Sequence, residues 1–136
     1  MLENIRSPQD IKNMSVKELN HLAAEIRTKI IGTVSETGGH LGSNLGLVET
    51  TLVLHKLFDF PSDKLLFDVG HQCYTHKLLT GRLERFDTLR QSGGISGFTN
   101  RFESDYDTLT AGHSGSSISA ALGIAMANKL ENKDAY

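Results

Sequence analysis

Three loops of this chain each carry a histidine directly after a glycine: Gly39-His40, Gly70-His71 and Gly112-His113. Imidazole donates to phosphate oxygens, polarises carbonyls and moves protons near neutral pH. One such histidine is most simply a hydrogen-bonded loop residue. Three of them, each at the boundary of an expected element, mark a shared site. The third loop, Gly112-His113-Ser114-Gly115-Ser116-Ser117, runs into an Ala-rich helical segment. A helix N-terminus offers unpaired N–H groups and a partial positive charge, and small residues let a phosphate-like anion approach them. One of Ser114, Ser116 and Ser117 is expected to cap that helix, which uses the same N–H groups.

Other reactive residue types fit chemistry less well. His21 and His55 fall within helical patterns and read as surface or boundary residues. His76 makes His-x4-His with His71, but no Cys or carboxylate cluster completes a metal site. Asp68 either caps a following turn or orients a histidine. Cys73 has no activating base nearby in sequence. Gly112 to Ser116 is neither a nucleophile elbow nor a P-loop, lacking Gly after Ser114-x and any Gly-Lys-Ser/Thr.

The elements that must position these loops follow from periodicity. Ser15 and Glu18 form a capping-box signature, and Leu19, Leu22, Ile26 and Ile30 place one apolar stripe on a helix reaching residue 35 or 36. Gly38-Gly39 ends it. Residues 42–46 read as a loop, and 48–58 as a second helix with Leu47, Thr51, Leu54 and Leu57 or Phe58 inward. Residues 64–69, Lys-Leu-Leu-Phe-Asp-Val, read as a buried parallel strand. Residues 74–80 form a short helix stopped by Gly81, and 83–91 hold a further helical turn. Residues 92–105 form the longest irregular segment, an expected active-site loop. Residues 118–130 form the last helix, thin enough to pack close to a sheet. The fold class expected is therefore α/β with an incomplete parallel sheet.

Composition narrows the function classes. The 136 residues suit one domain and carry a formal net charge of −2, with Lys and Arg scattered. Nothing forms a nucleic-acid stripe or a membrane patch. No apolar run approaches the roughly 20 residues that span a bilayer, and the first residues lack the apolar core of a secretory signal. The single cysteine excludes an internal disulfide. A cytoplasmic location is expected.

The order of motifs resembles the 1-deoxy-D-xylulose-5-phosphate synthase family of transketolase-like thiamine-diphosphate enzymes. Its carriers are the His40 loop, Asp68-Val-Gly-His-Gln-Cys-Tyr-Thr-His-Lys, Gly81-Arg82, Gly93-Gly94-Ile95-Ser96-Gly97-Phe98, Glu103-Ser104-Asp105-Tyr106-Asp107 and Gly112-His113-Ser114. The resemblance implies a thiamine-diphosphate-dependent condensation of pyruvate with D-glyceraldehyde 3-phosphate, with loss of carbon dioxide. It implies that His71 contacts the cofactor near the reacting carbon, that Gly112, His113 and Ser114 contact the cofactor, that His40 faces substrate, and that Ser43 lies near the thiazolium or donor. It also implies a homodimer of the full-length protein.

By the same resemblance, residues 1–136 are a partial cofactor domain. The Gly-Asp-Gly motif whose Asp, with an Asn, holds Mg2+ is expected beyond Tyr136, as is the glutamate that activates the aminopyrimidine. No metal ligand is assigned within the chain, and it is expected to be inactive alone. The alternatives are a stand-alone binding module or one chain of a split enzyme.

Overall fold

The computed structural model describes all residues, Met1–Tyr136, as a set of helices joined by ordered loops. The elements are α1 (Val16–Thr37), α2 (Leu41–Leu45), α3 (Val48–Leu57), α4 (Tyr74–Leu79) and α5 (Ser117–Leu130), with 3₁₀ turns at Leu2–Asn4, Pro8–Ile11 and Leu83–Thr88.

The central helix α1 forms for the reasons its sequence states. The Ser15 hydroxyl accepts from the Glu18 amide at 3.3 Å, and Glu18 accepts from the Ser15 amide at 2.7 Å. Two of the helix's unpaired N-terminal donors are thereby engaged. Leu19, Leu22, Ile26 and Ile30 are all buried, each contributing roughly 1.5–3 kcal/mol. Gly38, at φ +73°, closes the helix by donating to the Val34 carbonyl at 2.9 Å.

Around α1 pack α3, α4 and the turn at Leu83–Thr88. Their core residues are Val48 and Leu52, Tyr74, Leu78 and Leu79, and Phe86 and Leu89. Two ion pairs brace the outside: Arg27 with Glu49, and Lys29 with Asp87. The inward face of α3 is Val48, Thr51, Leu52 and His55, rotated from the expected one, and Leu57 points to solvent.

The expected parallel sheet is absent: the chain contains no strand, and the α/β assignment is corrected to an all-helical one. Residues 64–69 do run through the protein with Phe67 buried. Among their amides only that of Lys64 donates to another backbone group, the Tyr136 carbonyl at 2.7 Å. A strand exists only as one side of a ladder, and no second segment offers the other side. Val69, at φ +63°, then turns the chain away into Gly70. The segment 42–46, expected as a loop, lies largely within the short helix α2.

Helix α5 has no buried residue. Ile118, Leu122, Met126 and Leu130 form an exposed stripe along it. The close packing on a sheet expected of its small residues does not occur. No helix is long and apolar enough to cross a membrane.

Candidate active site

Two of the three glycine–histidine loops meet. The rings of His40 and His71 lie 5.0 Å apart at 68°, and Phe98 packs on His40 at 5.9 Å. Helix α1 delivers His40 through the Gly38-Gly39 turn, and His40 opens α2. The turn must pass Tyr74 closely: a Cβ on Gly39 would stand 2.8 Å from the Tyr74 hydroxyl, and φ there is +148°. His71 follows the turn at Val69-Gly70 and precedes α4.

The loops are joined by Asn44, which is 1% exposed. Its Nδ2 donates to the His40 carbonyl at 2.6 Å and to the His71 carbonyl at 2.8 Å. Its Oδ1 accepts from the Tyr74 amide at 2.8 Å. The His40 amide donates to the Tyr74 hydroxyl at 3.3 Å. Sequence reasoning passed over Asn44. The available signal was a side chain with two donors and one acceptor between Gly42 and Gly46.

Three buried polar atoms here have no partner: His40 Nδ1, Ser43 Oγ and His71 Nδ1. Four more lie at Gln72, His55, Thr75 and Arg82; buried polar atoms are usually hydrogen-bonded, so those grouped around the two histidine loops are suited to a polar ligand. Burial lowers the pKa of His40 below its ordinary 6.5, and the nearby positive charges of His71 and Arg90 push the same way. The ring is therefore neutral at physiological pH, able to accept or donate a proton.

The third loop approaches by a different route. Ala111 donates to the Thr99 carbonyl at 3.2 Å, and both residues press on Gly70. Gly112 has open space around its Cα, while His113 and Ser114 are exposed. The N-terminus of α5 is covered by Asp68. The Gly115 amide donates to Asp68 Oδ1 at 2.9 Å, and the Ser117 hydroxyl donates to the same oxygen at 3.0 Å. Ser116 occupies the N-cap position as expected, but its side chain makes no cap bond, and the carboxylate of Asp68 accepts from the start of α5 instead. Hydrogen bonds from Ser117 and Gly115 hold that carboxylate below its ordinary pKa of 3.8.

Beneath this site lies a polar network that sequence reasoning misplaced. His55, expected at the surface or boundary, is fully buried, and so is His76. The His76 Nε2–H donates to Asp107 at 2.9 Å, which leaves its Nδ1 to accept from the His55 Nε2–H at 2.9 Å. Arg82 forks onto both Asp107 oxygens at 2.7 and 2.8 Å. The buried Lys77 donates to Glu103 at 2.6 Å, and Glu103 accepts from the Ser96 amide at 2.6 Å. These bonds clamp residues 96–107 onto α4. His21, by contrast, is exposed and pairs with Glu25. Burial pushes the Cys73 thiol up to about 12, which removes it as a nucleophile.

No group of three or more His, Cys, Asp or Glu side chains is placed to hold a metal ion.

Comparison with known proteins agrees with the motif order. The family model described as 1-deoxy-D-xylulose-5-phosphate synthase matches residues 2–136. The chain is 64% identical over 132 residues to the 1-deoxy-D-xylulose-5-phosphate synthase of Syntrophotalea carbinolica, covering 97% of this chain and 21% of that one. It is 57% identical over 133 residues to the enzyme of the same name from Caldanaerobacter subterraneus subsp. tengcongensis, covering 98% and 21%. With that of Dictyoglomus turgidum it shares 56% over 133 residues, covering 98% and 22%. Helical scaffold, paired histidine loops and these matches together make the chain a member of the 1-deoxy-D-xylulose-5-phosphate synthase family. It spans about a fifth of the length of the curated relatives it matches.

Proposed function

We propose that these residues form one part of a thiamine-diphosphate site that condenses pyruvate with D-glyceraldehyde 3-phosphate, releasing carbon dioxide and giving 1-deoxy-D-xylulose 5-phosphate. The observation that carries this reading is the convergence of His40, Ser43 and His71, each with an unpartnered buried polar atom. The bound cofactor would supply the electron sink that makes loss of carbon dioxide feasible.

The chain's own residues would orient and protonate. His71 contacts the cofactor. His40, kept neutral, faces the substrate and moves a proton at its Nδ1. Ser43 donates its hydroxyl toward the donor. Gly112, His113 and Ser114 approach the diphosphate, where small residues allow close contact with backbone N–H groups. In this reading residues 1–136 are a partial cofactor domain that contacts the cofactor without turning over alone.

The test is a titration of the ring-labelled histidines with thiamine diphosphate, followed by NMR. The His40 and His71 signals should shift together, while His21, on the outer face of α1, stays still. Unmoved His40 and His71 signals at millimolar cofactor would sink the proposal.

A further inference from the structure

We infer that Asn44 is the positioning residue of this site, its carboxamide setting the separation of the His40 and His71 imidazoles. The inference rests on the proposed function for its catalytic meaning, though not for its geometry.

Three observations carry it. An asparagine side chain has two N–H groups and one carbonyl. Those of Asn44 bond to His40, His71 and Tyr74 at 2.6–2.8 Å, in a position almost closed to solvent. Beside these bonds stand the longer contact of the His40 amide with Tyr74 Oη and the packing of the two rings. Lastly, the protein leaves both Nδ1 atoms without a partner. The rings are therefore set through their backbones and through packing on one another and on Phe98.

That arrangement has a chemical logic. A histidine oriented by a bond to its ring spends a ring nitrogen on the protein. Anchoring the two carbonyls instead fixes each Cα while leaving the ring nitrogens for a ligand. No other side chain of similar size reproduces the pattern. Aspartate offers no donor and would repel both carbonyls. Leucine would strand three buried backbone groups, each costly to leave unpaired.

The experiment begins with the unaltered chain. Scalar couplings across hydrogen bonds should link Asn44 Nδ2 to the carbonyl carbons of both His40 and His71. Absence of either coupling overturns the proposal without requiring a variant to fold. Asn44→Ala should then abolish the ring-to-ring nuclear Overhauser effect and raise the His40 titration toward its ordinary value, as burial and the neighbouring ring recede. Tyr74→Phe, which removes only the hydroxyl, should leave both signals in place. A Tyr74→Phe chain that loses the ring contact, or an Asn44→Ala chain that keeps it, assigns the spacing elsewhere and overturns the inference.

A cofactor titration of Asn44→Ala separates the two readings. Affinity should fall, because the two rings would no longer be held at the spacing that the ligand meets. If the unaltered chain takes up no thiamine diphosphate while couplings and ring contacts behave as expected, the functional reading fails and the role of Asn44 in spacing the rings stands.

Discussion

Asp68 caps helix α5 from outside it: its Oδ1 accepts from the Ser117 hydroxyl at 3.0 Å and from the Gly115 amide at 2.9 Å. The turn that leads to His71 is thus tied to the loop that carries His113. An anion entering at the start of α5 would compete with this carboxylate for the same donors.

Replacing Asp68 with Ala should release α5. Amides 115–120 would exchange faster with solvent, while those of residues 22–30 in the core stay protected. Acid should act in the same direction. The folded carboxylate has a lowered pKa, so its contribution is full above the ordinary 3.8 and disappears as pH falls through the folded value. Hydrogen exchange followed by mass spectrometry at neutral and low pH reads both effects.

Asp107 holds Arg82 and His76 in the interior, so Asp107→Asn should cost about 3–5 kcal/mol by removing the guanidinium's bidentate partner and leaving it only the longer 3.5 Å pairing with Glu103. The half-exposed pair of Lys29 with Asp87 should cost at most about 1 kcal/mol when Lys29 becomes Met. Urea unfolding of the two variants would expose a wrong ranking directly.

His55 and His76 make stability depend on pH. Burial, with nearby positive charges, lowers His55 to about 3, and burial also lowers His76. Below pH 6.5 the unfolded chain takes up protons that the folded chain refuses. Stability should be level above that value and fall on acidification, by about 1.4 kcal/mol per pH unit for each histidine while only the unfolded form is protonated. Urea midpoints measured between pH 8 and pH 4.5 test this. A midpoint unchanged across that range would rule out neutral burial.

Gly94→Ala should disrupt the segment that places Phe98. Its Cβ would stand 1.9 Å from the Thr88 carbonyl oxygen, a backbone atom that cannot swing aside. A loss of about 1–3 kcal/mol is expected, together with weaker packing of Phe98 on His40. Gly93→Ala is not a matched control, because φ there is +72°. Gly112→Ala, with open space and no such φ, is the suitable comparison for stability.

The sequence disclosed what depends on local rules. The stripe of α1 and its capping box are both local, and both formed as expected. The run Lys64–Val69 misled because an apolar hexapeptide has the composition of a buried strand whether or not a partner exists. His76 and Lys77 were not legible as core residues, since α4 is only six residues long and has no exposed face to set a period. Their burial depends on Glu103 and Asp107, more than 25 residues away, which no local pattern encodes. His40 and His71 stood out by residue type and glycine context, and Ser43 only through the family resemblance. Asn44 did not, because its bonds run to backbone carbonyls that carry no signature in sequence.

Helix α5 is joined to the rest by hydrogen bonds at its two extremities, from Gly115 and Ser117 to Asp68 and through Tyr136 to Asp63 and Lys64. Between them it buries no side chain. A segment with so few interior contacts opens at far less free energy than a core does. Helix α5 should therefore exchange its amides at lower free energy than α1, whose apolar stripe is buried.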